Sequence, residues 1–179
     1  MQYLARRAGL SVVDVEIVPT QGQSLRVFMR REGEPSAAVT QLLATERARG
    51  VTTEPAFRAF ADRVHANREA VVSLVRGLRA QGKRIAGYGA PAKGNTLLNY
   101  YGLGPDDIEY LVDSTPQKQG LYSPGMRIPI VARERLETDP VDYAIILAWN
   151  FKDAILRKEA AVRSAGTQFI VTVPAVEML

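Results

Sequence analysis

The sequence predicts an α/β fold with a doubly wound, Rossmann-like and mainly parallel sheet in its second half. From Lys83 onward, short apolar runs alternate with segments of helical spacing. The run 143–148 is apolar along its whole length, as expected for a parallel strand covered by helices on both faces. A glycine-rich turn at 87–94 separates the first strand from the first helix, a position where α/β folds bind ligands.

Residues 1–33 have a different pattern. The end of a helix is followed by two runs of alternating apolar and polar residues, 11–18 and 24–30, which predict an antiparallel hairpin. A lone hairpin is marginal in water, so this segment is interpreted as the tail of another domain. Residues 34–82 are predicted as a helical connector, with one helix from Ser36 to Arg49 and a longer one ending near Ala80.

Residues 83–179 are predicted as one nucleotide-binding domain. Its strands are expected at Ile85–Tyr88, Ile108–Asp113, Tyr143–Ala148 and Gln168–Val173, with a short edge strand within Met126–Val131. Its helices are expected at Pro91–Tyr101 and Phe151–Ala165.

Composition excludes several classes of protein. Apolar residues make up 46% of the 179 residues, which favours a globular fold over disorder. The absence of cysteine rules out disulfides and thiolate zinc sites, and one histidine argues against a histidine metal cage, so no metal is expected on this chain. The net charge of +4 is scattered, which predicts no nucleic-acid partner, and no apolar run has membrane-spanning length. A cytoplasmic location is therefore the default expectation.

The turn at 87–95 is predicted to hold the phosphates of a nucleotide. Amide groups at a helix start have no partner within the helix and favour anions, and Lys93 adds a full positive charge. Asp113, at the end of the next strand, stands where a Rossmann acid binds ribose. The alternative is a tight turn with an aspartate that caps the following loop. A P-loop is a poor match because Asn95 follows Gly94 where that motif has lysine.

Three further side chains follow the same strand ends. Lys118 is expected either to reach a phosphate or to be solvated, and Trp149 either to stack on a base or sugar or to pack in the core. Asn150 adjoins Trp149. The predicted nucleotide-sugar-binding residues are Gly87, Tyr88, Gly89, Ala90, Lys93, Gly94, Asn95, Asp113, Ser114, Lys118, Trp149 and Asn150, and no catalytic residue is assigned.

The stretch 87–100, Gly-Tyr-Gly-Ala-Pro-Ala-Lys-Gly-Asn-Thr-Leu-Leu-Asn-Tyr, resembles the signature of the C-terminal domain of S-adenosylmethionine-dependent sugar C-methyltransferases. Residues 112–120, 123–125 and 148–150 resemble the same family. The resemblance implies the substrate-holding part of an enzyme that methylates a nucleotide-linked, dTDP-type keto-deoxysugar. A preceding methyltransferase domain, with the methyl-donor site and a catalytic Glu-His pair, would then lie outside this chain.

Residues 1–31 resemble the last helix and strand pair of that methyltransferase domain. One departure concerns Gln21, which stands where the family usually has a histidine in a loop near the sugar. Two other functions stay open at this point: a free-standing nucleotide-binding or assembly module without catalysis, and a small nicotinamide-dependent dehydrogenase. The sequence does not indicate which sugar, base or carbon is involved, nor the oligomeric state.

Overall fold

A computed structural model confirms the α/β class with a mainly parallel sheet. It describes residues 1–179 apart from the side chain of Gln21, so the expectation for that side chain lies outside the described residues. The chain forms two compact units, Met1–Asp62 and Arg63–Leu179. The three-part division at 33 and 82 stays a prediction.

The first unit contains the predicted hairpin. Helix α1 (Gln2–Arg7) precedes strands β1 (Ser11–Val18) and β2 (Ser24–Arg30), which pair antiparallel, and helix α2 (Ala37–Ala48) follows. Ser36 caps α2 because its Oγ accepts a hydrogen bond from the Val39 amide at 3.4 Å. The small core of this unit is centred on Ala5, Val12 and Val39.

The second unit is built on a six-stranded sheet in the order β5-β4-β3-β6-β7-β8. All neighbouring strands are parallel except the pair formed by β7 and β8. The strands are β3 (Ile85–Tyr88), β4 (Leu111–Val112), β5 (Ile130–Val131), β6 (Tyr143–Ile146), β7 (Gln168–Val171) and β8 (Glu177–Met178).

Helices cover the sheet on both faces. On one face, α3 (Glu54–Ala80) and α4 (Ala92–Tyr101) pack residues such as Val75 and Leu98 against the strands. On the other face lie three short helices: α5 (Arg135–Thr138), α6 (Lys152–Lys158) and α7 (Ala160–Ser164). Consecutive strand residues belong to opposite cores, since Ile145 packs with the first set and Ile146 with the second.

Two predicted elements differ from the structure. The helix expected over 151–165 is divided into α6 and α7, and the division falls at Glu159, whose side chain is fully buried. The strand expected over 108–113 is reduced to β4. Backbone hydrogen bonds still join the preceding residues to β3, since the Glu109 amide donates to the Ile85 carbonyl and the Gly87 amide donates to the Tyr110 carbonyl. Strand β8 was not predicted, because two residues are too short for an alternating pattern.

Candidate functional site

The order of the strands places a crevice at the carboxyl ends of β3 and its neighbours. The chain proceeds from β3 to β4 and β5 on one side, and then returns to the other side of β3 with β6. Such a reversal leaves room between the loops that leave β3 and β6, and open α/β sheets bind ligands there. The loops after β3, β4 and β6 begin at Gly89, Asp113 and Leu147 respectively.

The loop after β3 is fixed by its own backbone. Gly89 has a φ of +86°, a conformation that L residues rarely adopt, and its amide donates to the Val112 carbonyl at 2.7 Å. The Ala90 amide donates to Asp113 Oδ2 at 2.8 Å. Pro91 occupies the N-cap of α4 and has no side-chain capping bond. The first intrahelical bond runs from Asn95, so the amides of residues 92–94 lie where a helix offers them no acceptor.

Gly94 allows α4 to approach the loop after β6 closely, and Gly87 makes room inside the sheet for the Leu111 side chain. A Cβ on Gly94 would lie 2.8 Å from Leu147 Cβ, and one on Gly87 would lie 2.4 Å from Leu111 Cδ2. Gly94 therefore has the packing role of the third glycine in a dinucleotide fingerprint, although its spacing differs. Asn95, one residue later, has a buried Oδ1 without a hydrogen bond in the described part of the chain.

Gly94→Ala should lower the free energy of unfolding by about 1–2 kcal/mol, because the new methyl group must displace Leu147. Gly77→Ala is the matched control, since Gly77 also lies in a helix but its Cβ would meet no atom within 4 Å. That control should be stabilised by about 0.5–1 kcal/mol. Urea unfolding of both variants measures the difference, and equal effects would contradict the close-packing role.

Lys93, Trp149 and Asn150 lie together at the start of α4. The Lys93 ammonium is 4.5 Å from the centroid of the Trp149 ring and donates a hydrogen bond to Asn150 Oδ1. Partial burial lowers the pKa of Lys93 from its ordinary value. None of the ion pairs among the described side chains includes Lys93. Its charge is therefore held in place by aromatic and amide groups and is not neutralised by a carboxylate.

Asp113 holds the loops after β3 and β4 together. Besides the Ala90 amide, its carboxylate accepts from the Thr115 amide at 2.9 Å and from Lys118 Nζ at 3.1 Å. Lys118 Nζ also donates to the Ala90 carbonyl at 3.0 Å. Burial by itself would raise the pKa of Asp113, but the bonds from Thr115, Ala90 and Lys118 outweigh it and hold that pKa below its ordinary value. The ionised Asp113 thus has a structural role whether or not it binds ribose.

A cavity of about 190 Å³ opens between these loops. Its lining combines polar groups with apolar surface, and it includes Tyr88, Gly89, Asp113, Ser114, Arg133 and Ala148. Ser114 is exposed, while Tyr88 is buried and its hydroxyl donates to Glu159 Oε1 at 2.6 Å. Burial, followed by that hydrogen bond, raises the pKa of Tyr88 well above its ordinary value, so the hydroxyl stays protonated.

Arg133 is the cationic side chain of this cavity. Its Nε donates to both carboxylate oxygens of Glu159, at 3.1 and 3.0 Å, and its terminal nitrogens bind Glu159 and Glu137. The Glu159 side chain is 0% exposed and that of Arg133 is 19% exposed. Burial alone would raise the pKa of Glu159, but the bonds from Arg133 and Tyr88 hold it below its ordinary value.

Arg133 and Glu159 were missed by sequence reasoning. Arg133 lies two residues after β5, so the rule that strand ends share one edge would have found it if applied to the edge strand as well. No comparable signal marks Glu159, which is one of several charged residues in a segment of helical spacing. Of the predicted residues, the structure brings together those of 88–95, 113–118 and 149–150, whereas Gly87 packs inside the sheet.

The described residues lack two features, a cluster of metal ligands and a membrane-spanning helix. They contain no group of three or more His, Asp or Glu side chains arranged to hold a metal ion. Among the helices that the structure describes, none has the length and apolar character needed to span a bilayer.

Comparisons with known proteins agree with the resemblance seen in the glycine-rich turn. A family model described as the C-methyltransferase C-terminal domain matches residues 19–174. The C-methyltransferase NovU of Streptomyces niveus is 42% identical over 169 residues, which cover 93% of this chain. The chain spans 40% of the length of that relative.

Proposed function

This chain belongs to the family of C-methyltransferase C-terminal domains, and we propose that it holds the substrate of an S-adenosylmethionine-dependent enzyme that methylates a carbon of a nucleotide-linked, dTDP-type keto-deoxysugar. The observation that carries the proposal is the position of Lys93. Its uncompensated charge lies beside the open amides of α4, in the crevice where the strand order reverses. A diphosphate is the ligand that complements both groups.

The methyl donor fits this crevice poorly. S-adenosylmethionine carries a positive sulfonium, which would meet the Lys93 ammonium and the positive end of α4. We propose that the donor binds in another part of the parent enzyme, where it supplies the methyl group. The contribution of this chain is then to fix the nucleotide sugar so that its reactive carbon faces the donor, which lowers the entropic barrier to reaction.

The 179-residue chain should bind a nucleoside diphosphate or its sugar more tightly than it binds S-adenosylmethionine. The reason is the match of charge, since phosphate is attracted to Lys93 and the helix start whereas a sulfonium is repelled. Titration calorimetry with dTDP, a dTDP-sugar and S-adenosylmethionine under one buffer condition measures the order of affinity. Tighter binding of the methyl donor would refute the proposed function.

Lys93→Ala should weaken binding of the dTDP-sugar by about 1.5–3 kcal/mol, the range for a hydrogen bond to a charged group. Stability should change little, because the lost contacts are one hydrogen bond to the Asn150 side chain and cation–π contacts to Trp149 and Phe151, all near the surface. Lys83→Ala is the matched control: Lys83 pairs with Asp142 beyond the other ends of β3 and β6. Unchanged affinity in Lys93→Ala would show that this lysine does not contact phosphate.

A further inference from the structure

The charges around the cavity after β3 do not suit a phosphate. Two cations, Arg133 and Lys118, face three carboxylates, those of Asp113, Glu137 and Glu159. These five groups sum to one negative charge, and Lys158, which also attracts Glu159, brings the sum to zero, so no uncompensated cation is left in this group. A diphosphate drawn into it would lose water without gaining a compensating cation, which is unfavourable in a partly buried site. The unpaired charge of Lys93 lies outside this group.

The cavity retains hydrogen-bonding capacity for a neutral ligand. A guanidinium has five N–H donors, and the bonds of Arg133 to Glu159 and Glu137 use three of them. Two N–H groups of Arg133 thus have no partner in the part of the chain that the structure describes. Asp113 is held by the Ala90 and Thr115 amides and by Lys118, so Arg133 is the charged residue of the lining with donors to spare. Ser114 adds a hydroxyl at the edge.

Size restricts what can enter. Pockets that enclose a whole drug-sized ligand usually measure about 300–1,000 Å³. The cavity, at about 190 Å³, is smaller, so it has room for one ring of a nucleotide sugar and not for the complete molecule. The apolar lining residues Pro91, Val112 and Ala148 provide a surface of the kind that packs against a sugar ring.

We propose that this cavity encloses one uncharged, hydroxyl-bearing ring of the nucleotide sugar, and that Arg133 is the donor that recognises its oxygen atoms. The diphosphate then lies outside the cavity, beside Lys93. Glu159 serves as the positioning residue, because its buried carboxylate fixes the guanidinium from behind while Tyr88 fixes that carboxylate. This inference rests on the proposed function, since it assumes a nucleotide-sugar ligand.

The test compares three ligands of increasing size on the 179-residue chain by calorimetry: pyrophosphate, dTDP and a dTDP-sugar. Arg133→Lys keeps a cation toward Glu159 but loses the planar pair of donors. We expect it to weaken binding of the ligand that contains the enclosed ring by about 10- to 100-fold and to leave pyrophosphate binding unchanged. A loss that already occurs with dTDP assigns the cavity to the deoxyribose of the nucleoside, and a loss confined to the dTDP-sugar assigns it to the attached deoxysugar.

Two further variants keep the test decisive. Arg84→Lys is the matched control, because Arg84 is also held by two carboxylates, Glu109 and Asp139, but precedes β3. Ser114→Phe fills part of the cavity from an exposed position and leaves the Arg133–Glu159 pair intact. It should cause the same loss of affinity, and it provides the test if Arg133→Lys does not fold. If Arg133→Lys weakened the binding of pyrophosphate as much as that of the dTDP-sugar, Arg133 would be a phosphate ligand and the inference would be overturned. Unchanged affinity for all three ligands in both cavity variants would also overturn it. If the unaltered chain binds none of the three ligands, the proposed function itself fails.

Discussion

Methyl transfer by the 179-residue chain alone should be undetectable when it is incubated with S-adenosylmethionine and a dTDP-linked keto-deoxysugar. The ionisable side chains that line the cavity are held in their charged forms, Asp113 by hydrogen bonds from three donors and Arg133 by ion pairs with two carboxylates, so neither is placed as a free base. The one histidine, His65, lies on α3 beside Arg68 and Tyr100 and does not line that cavity. Positioning without a base or a donor gives binding and no turnover. Transfer of labelled methyl from the donor to the sugar is the measurement.

The control supplies the remainder of a parent enzyme as a separate polypeptide. Product should form only when both parts are present, and Lys93→Ala should reduce that product through weaker substrate binding. Turnover by the chain on its own would overturn its interpretation as a substrate-holding domain. Binding of the nucleotide sugar without any effect on the supplied catalytic part would instead favour a module without a role in catalysis.

The backbone framework of the second unit was predictable because its signals are local. The run at 85–88 is bounded by polar residues on one side and a glycine turn on the other, and β3 has the predicted bounds. The start of α4 was predictable to within one residue, because proline is common at the beginning of a helix; Pro91 is the N-cap and Ala92 the first helical residue. The hairpin strands β1 and β2 also match, because alternation over seven or eight residues is a strong strand signal.

The side-chain network of the site was harder to predict from the sequence, since it depends on residues far apart along the chain. Asp113 was expected to face ribose, but its position also lets it bind the Ala90 amide and Lys118, and spacing alone does not reveal those partners. Glu159 lies 26 residues after Arg133, and its burial follows from the packing of α6 and α7 on the sheet. Long-range ion pairs of this kind leave no periodic pattern in a single sequence.

Arg133→Met should lower the free energy of unfolding by about 3–5 kcal/mol near pH 7, the range observed when one partner of a buried ion pair is removed. Glu159 is 0% exposed, so without the guanidinium its carboxylate would be left buried with Tyr88 as its remaining donor. Methionine fills much of the same volume, which keeps the loss of packing small. Urea unfolding of the variant and the unaltered chain measures the effect.

The pH dependence of the free energy of unfolding distinguishes an unpaired buried carboxylate from a loss of packing. In the unaltered chain the lowered pKa of Glu159 adds stability that is present above its unfolded-state pKa and is lost as the pH falls through the folded-state pKa. In Arg133→Met burial raises that pKa above the unfolded value, so the folded state gains a proton and the deficit shrinks between about pH 7 and pH 5. Arg84→Met should cost less, because its partners Glu109 and Asp139 are 26% and 29% exposed and can be hydrated. A deficit in Arg133→Met that is the same at both pH values would mean that the ion pair with Glu159 contributes little, and that the effect comes from packing alone.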